Sequence, residues 1–136
     1  MNTGLLVARM VFGTVMAAHG AQKLFGWFGG HGLRGTIGFF ASQGIPVPLA
    51  LLAIAAEFLG SLGVLVGLFT RVAAFGIACV MVVAIVTVHA KFGFFMNWSG
   101  TQKGEGFEYH VLALGIALAL LVGGAGLWSL DAAIAR

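Results

Sequence analysis

Four apolar stretches, 4–25, 49–69, 72–91 and 107–128, occupy most of the 136 residues and constrain the fold more than any other feature. A helix crossing a bilayer needs about 20 predominantly apolar residues at roughly 1.5 Å rise each. Each stretch supplies them, and four such spans leave only short links, so 1–136 reads as a single domain. Charge agrees with this. Charged residues make up 8% of the chain, too few to coat a water-facing surface, and mean hydropathy is +1.06. The expected fold class is an all-α membrane protein, a four-transmembrane-helix bundle in contact with the lipid bilayer.

The links carry their own signals. The first stretch lacks a positive segment ahead of it, since 4–8 are uncharged before Arg9, and it reads as a retained span rather than a signal peptide. It runs out in Gly26-Trp27-Phe28-Gly29-Gly30. Ile45-Pro46-Val47-Pro48 opens the second span, because proline is tolerated where its missing N–H has no helical partner. Thr70-Arg71 reads as a two-residue link to the third, and Gly123-Gly124-Ala125-Gly126 loosens the end of the fourth. Between the first two spans, 33–43 mixes glycine and polar residues with Ile37, Phe39 and Phe40. It is too short to cross and predicts a short interfacial or re-entrant helix. The other long link, 93–106, holds Phe94, Phe95, Trp98, Lys103 and Glu105.

Four crossings place both termini and Thr70-Arg71 on one side, here side A, and the two longer links on side B. Trp27 and Trp98 toward side B, and Trp128 toward side A, suit the aromatic belts of a bilayer. Side A carries Arg9, Arg71 and Arg136, and side B carries Lys23, Arg34, Lys91 and Lys103, a balance that does not orient the chain. The same seven residues produce the net charge of +3. They are scattered rather than clustered, which excludes a nucleic-acid footprint. Most of the 22 glycines read as helix-contact residues, as at Gly63-x-x-x-Gly67 and Gly13-x-x-x-Ala17, and no phosphate-binding glycine motif is present. Cys79, the single cysteine, forbids an intramolecular disulfide and reads as a small buried apolar side chain. Any thiol–disulfide chemistry would have to come from a partner.

Polar residues inside spans are costly and therefore informative. Arg9, Met16, His19 and Lys23 project within roughly 80° of one another on the first span, a face expected to point into the bundle. Glu57 is the one acid in the middle of a span, about 12 Å from side B at helical rise. His19 matches it in depth and Arg9 in charge, so both are candidate partners. All four histidines, His19, His31, His89 and His110, fall in the side B half together with Lys23, Glu105 and Glu108. The candidate ligand pocket comprises Arg9, His19, Lys23, Glu57, His89, Glu108 and His110. No HxxxH or ExxH pair occurs, and neither a metal site nor a catalytic residue is assigned. Two readings stay open for His89, Glu108 and His110: solvated span ends, or a polar pocket opening to side B.

Cation, imidazole and carboxylate among Phe25, Trp27, Phe28, Phe94 and Phe95 suit an amphipathic ligand with a flat polar head. Imidazole would hydrogen-bond a quinone carbonyl, and Glu57 would pass a proton. The same residues suit a proton-coupled transport site, or a structural ion pair that fixes helix register.

The order of landmarks is also informative. Arg9 precedes His19-Gly20-Ala21-Gln22-Lys23-Leu24-Phe25-Gly26, then come Gly44-Ile45-Pro46, Glu57-Phe58-Leu59-Gly60 and Gly67-Leu68-Phe69-Thr70-Arg71. Phe95-Met96-Asn97, Glu108-Tyr109-His110 and Gly124-Ala125-Gly126-Leu127-Trp128-Ser129-Leu130-Asp131 complete the series. Over essentially its whole length the chain resembles the DoxX family of small bacterial membrane proteins. The resemblance implies a four-helix bundle in the bacterial inner membrane, with cytoplasmic termini and an association with redox systems. The family name is shared with a subunit of a thiosulfate:quinone oxidoreductase, and some members are linked to membrane complexes that handle oxidative or thiol stress. By motif position, Arg9, Lys23 and Glu57 are the family's intramembrane charged residues here. The lone Cys79 departs from relatives that do dithiol chemistry with their own cysteines, which leaves at most a non-autonomous oxidoreductase subunit. The expected function is an integral membrane component of a redox complex with a partner protein and a quinone ligand. The alternatives are a small transporter for a proton or neutral solute, and a structural anchor without a ligand; a homo-oligomer is compatible with each.

Overall fold

In the computed structural model, residues 2–135 are described, and all regular structure among them is helical. Helix α1 spans Asn2–Phe25 and stops where Gly26 turns left-handed, φ 76°. A short tight turn at Trp27–Gly29 leads into α2, Gly32–Ser42. Pro46, extended at φ −67° and ψ 152°, delivers the chain into α3, Val47–Val66, with Pro48 in its first turn. There the missing N–H costs no helical bond. Helix α4, Thr70–Ala84, runs on through a π-helical stretch, Ile85–His89, and a tight turn, Ala90–Phe92. Helix α5 covers Glu108–Gly123 and a short α6 covers Leu130–Ile134.

Three helical runs, Asn2–Phe25, Val47–Val66 and Thr70–Phe92, are long and apolar enough to cross a membrane, whereas α5 has 16 residues. Helix α1 packs along α3, α3 along α4, and α4 along α5, with a lighter α1–α5 contact closing the group. Phe12, Met16, Val64, Ala74, Ile77, Met81, Ala117 and Leu120 form the shared core. The outward faces expose Val11, Leu52, Leu59, Val72, Phe75, Val86, Leu112 and Val122. So much exposed apolar surface fits a lipid environment. Helix α2 lies across one end of α1 and α3, where a short helix was expected.

Several boundaries differ from the sequence reading, each for a local reason. The link between α3 and α4 is 67–69, not Thr70-Arg71, which form the first turn of α4. Gly67 adopts φ 71° and lets the amide of Leu68 return to the Gly63 carbonyl at 2.8 Å, a closure that ends α3 early. Gly67 is therefore a cap rather than half of a helix-contact pair. The close approach lies at Gly13 and Gly20 of α1, where an added Cβ would stand 2.6 Å from Leu65 Cγ and 2.7 Å from Phe58 Cα. The fourth apolar stretch, expected to run to residue 128, is helical only to Gly123, because Gly124 takes φ 73° and ψ −163°. Cys79 is exposed on the outer face of α4, not buried. Arg136, counted on side A, lies outside the described residues.

Candidate functional site

Arg9 and Glu57 are both almost completely buried, at 2% and 1% exposure, yet they do not meet. The guanidinium of Arg9 lies at the side A end of the bundle. There Nε donates to Val64 O at 3.1 Å, Nη2 to Leu65 O at 3.2 Å, and Nη1 to Ala125 O and Trp128 O at 2.7 and 2.9 Å. Four carbonyls at the end of α3 and the break after α5 thus share one planar donor fork. The arrangement corrects two expectations, since Arg9 neither pairs with Glu57 nor lines a pocket with the histidines. Along α1 its Cα lies about 21 Å from that of Lys23 at helical rise, so its reach serves the opposite end. Asp131 of α6 completes this end, accepting from the amides of Phe69 and Thr70 at 2.7 and 3.0 Å. Burial pushes the Asp131 carboxyl up, but these two amides and the charge of Arg9 outweigh it and hold it below its ordinary value.

At the side B end, Glu57 pairs with Lys23 through Oε2 and Nζ. Neither residue named as its candidate partner takes that position. The lysine stem folds back from the last turn of α1 and carries its ammonium to the depth of the carboxylate. His19 is not bonded to Glu57; its ring lies against Tyr109. The pair is asymmetric. The Glu57 side chain is 2% exposed while that of Lys23 is 27% exposed, so the pair opens outward only through its ammonium.

Aromatic rings extend the cluster toward the side B surface. His19 lies against Tyr109 with ring centroids 5.2 Å apart, Tyr109 lies 5.2 Å from His110, and His110 lies 4.1 Å from His89. The Tyr109 hydroxyl donates to Met16 Sδ at 3.3 Å. His110 is 7% exposed, and its Nδ1 has no hydrogen-bond partner among the described residues. His89 closes the π-helical stretch, and its Nδ1 lies 2.8 Å from the Glu105 carbonyl. The structure thus gathers His19, His89 and His110 and leaves Glu108 with a different task. Its carboxylate accepts from the Met96 amide at 2.9 Å and pins the aromatic loop onto α5, while Glu105 accepts from the Asn97 amide at 2.7 Å within the loop itself.

Two features were missed from sequence. Tyr109 bridges His19 and His110, and only its place between Glu108 and His110 in the first turn of α5 hinted at this. The second is a cavity of about 280 Å³ between the end of α1 and α2, lined by Gln22, Lys23, His31, Thr36, Phe39 and Phe40 together with Gly29 and Gly30. Thr36, buried, donates to the Lys23 carbonyl at 3.2 Å and ties α2 to the turn that carries the ammonium. Among the described residues no group of three or more histidine, cysteine or acidic side chains is placed to hold a metal ion.

These features define an all-helical membrane protein with a neutralised ion pair buried at one end and an arginine clamp at the other. A DoxX family model matches residues 4–90, a range that includes Arg9, His19, Lys23, Glu57 and His89. A protein of Bacillus subtilis (strain 168) named "Putative oxidoreductase CatD" is 34% identical over 117 residues, 86% of this chain and 78% of that one. The chain belongs to the DoxX family. No solved structure matches it.

Proposed function

We propose that this chain is the integral membrane subunit of a redox assembly in a bacterial plasma membrane, and that its buried polar cluster serves a quinone-type ligand. In this reading all four apolar helices cross the bilayer, α2 lies at the side B interface, and both termini are cytoplasmic. The observation that carries it is the Lys23–Glu57 pair, a carboxylate held in an apolar bundle with its ammonium partner partly open. Charged groups at such depth mark sites of function more often than sites of packing. Family membership and the oxidoreductase named in the relative's title support the redox assignment.

The chemistry divides between two proteins. A quinone becomes a quinol by taking up two electrons and two protons. With a single cysteine, the chain has no dithiol of its own to give electrons, and a reduced partner protein supplies them. Lys23 and Glu57, with His19 beside them, hold the protons at the ring oxygens.

Isolation of the tagged protein in mild detergent tests this. A redox partner protein is expected to co-purify, and the complex to reduce a benzoquinone analogue. Glu57→Gln should slow that reduction about a hundredfold, the scale of a lost general acid, while circular dichroism shows the helices retained. Absence of both partner and quinone reduction would end the proposal.

A further inference from the structure

The side A end holds a space that the arginine clamp does not fill. A cavity of about 490 Å³ lies between the start of α4, the unwound chain after α5, and α6. Small-molecule sites run from about 300 to 1,000 Å³, so it is large enough for a ligand. Two of its polar side chains are already spent on backbone. Ser129 bonds the Gly126 carbonyl and the Ala132 amide, and Asp131 takes the amides of Phe69 and Thr70. Arg71, by contrast, makes no ion pair and no side-chain hydrogen bond among the described residues. Its guanidinium stands in the hollow. A Cβ added at Gly124, a buried residue of the cavity wall, would lie 3.4 Å from Arg71 Nε and 3.5 Å from Nη2. The buried Thr70 hydroxyl lies in the same wall beside the Asp131 carboxylate, without a well-formed hydrogen bond.

We infer that this cavity binds the phosphate of an anionic phospholipid headgroup at the side A surface of the membrane, held by the guanidinium of Arg71. Charge selects an anion. Asp131 also lines the cavity, but its two oxygens are taken by backbone amides and it stands in the field of Arg9. Two arginines against one aspartate leave a single positive charge at this end, and it is that of Arg71. The first turn of α4, where Arg71 sits, adds the partial positive charge of a helix N-terminus. A guanidinium offers parallel donors that match phosphate oxygens. The surroundings select a lipid. Phe69 and Val72, 70% and 71% exposed, form an apolar lip on the same cavity. Acyl chains have a surface there while the headgroup enters the hollow, whereas a free phosphate would use the guanidinium and nothing of the lip. The inference needs the bilayer but not the redox reading, and stands apart from the Lys23–Glu57 pair.

Phenylglyoxal modification of arginine, mapped on peptides of the full chain in mixed micelles, tests the site. Phosphatidylglycerol at about ten times its dissociation constant should slow modification of Arg71 about tenfold, and leave the exposed Arg34 unchanged. Phosphatidylcholine, whose choline cation would meet Arg71, should protect less. In native mass spectrometry, Arg71→Gln should weaken retention of phosphatidylglycerol about tenfold, the scale of one charge-assisted contact. Ala132→Glu keeps Arg71 and sets a second carboxylate in the wall, and should weaken retention at least as much while circular dichroism stays unchanged. Equal protection by inorganic phosphate would keep the anion site and overturn the lipid as its occupant. Stronger protection by oleate would overturn the phosphate. Arg71 modified at one rate with and without phosphatidylglycerol, or lipid retained undiminished in both variants, would overturn the site and leave the redox function standing.

Discussion

A single arginine satisfies backbone that would otherwise be stranded in hydrocarbon. Arg9 donates to the carbonyls of Val64, Leu65, Ala125 and Trp128, and of these Val64 O also accepts from the Gly67 amide at 3.2 Å. An unsatisfied buried acceptor costs about 1–3 kcal/mol, so Arg9→Ala should destabilise the protein by about 3 kcal/mol or more. Unfolding in mixed micelles measures it. Arg9→Lys should recover only part of the loss, because an ammonium is a point donor and cannot span four acceptors as a planar fork does. Full recovery would mean that charge, not geometry, matters here. Gly67 leaves room for the fork, since an added Cβ there would stand 2.6 Å from Arg9 Nη1. Asp131 gives this end a pH dependence. Its folded carboxyl titrates below the unfolded one, so its contribution is complete above the ordinary carboxylate range and fades as pH falls through it. The melting temperature of the wild type should therefore approach that of Asp131→Asn as pH falls from about 5 through the ordinary carboxylate value and below it, and stay above it at neutral pH. Parallel curves across that range would contradict the assignment.

The crossing of α1 and α3 positions the ion pair. An added Cβ at Gly20 would stand 2.7–2.9 Å from backbone and Cβ atoms of Phe58, next to Glu57 in the chain, and Lys23 follows Gly20 by three residues. Gly20→Val should force the helices apart at an overpacking cost of about 1–3 kcal/mol. It should also reduce the Lys23–Glu57 coupling measured by a double-mutant cycle with Lys23→Met and Glu57→Gln. Coupling that survives at full strength would show that the pair does not depend on this approach. The element ends explain why sequence captured some features and lost others. The three longest helices were legible because unbroken apolar runs admit little else in a chain with 8% charge. Helix ends were not, because they hang on glycines at positive φ such as Gly67 after α3 and Gly124 after α5, and a glycine-rich sequence does not say which glycine turns. The partner of Glu57 was misread because depth was reckoned from backbone positions. Lys23 lies one helical turn, about 6 Å along the axis, beyond His19, and its long side chain brings the ammonium to Glu57, where His19 was expected.

For the molecule as a whole, α5 is the apolar helix too short to cross on its own. Its 16 residues measure about 24 Å at helical rise, short of the roughly 30 Å hydrocarbon core. Between Gly123 and Leu130 the chain is not helical, yet Gly124 and Ala125 are buried. Irregular backbone at membrane depth is tolerated only where protein satisfies it. Arg9 does so at Ala125 and Trp128, while Asn2 Oδ1 accepts from the Leu127 amide at 3.2 Å. The arginine clamp thus ties the unwound end of α5 to α1, which is what a fourth crossing by so short a helix would require. The resulting topology can be measured directly. The single cysteine makes Cys79→Ser a cysteine-free background, and cysteines then placed at Lys103 and at Ala133 lie before and after α5. In sealed vesicles a membrane-impermeant thiol reagent should reach one of these from outside and the other only after permeabilisation. A cysteine at Gly4 should label like that at Ala133, since four crossings return the chain to its starting side. If Lys103 and Ala133 label from the same side, α5 does not cross, and the clamp holds a helix that lies within the bundle instead.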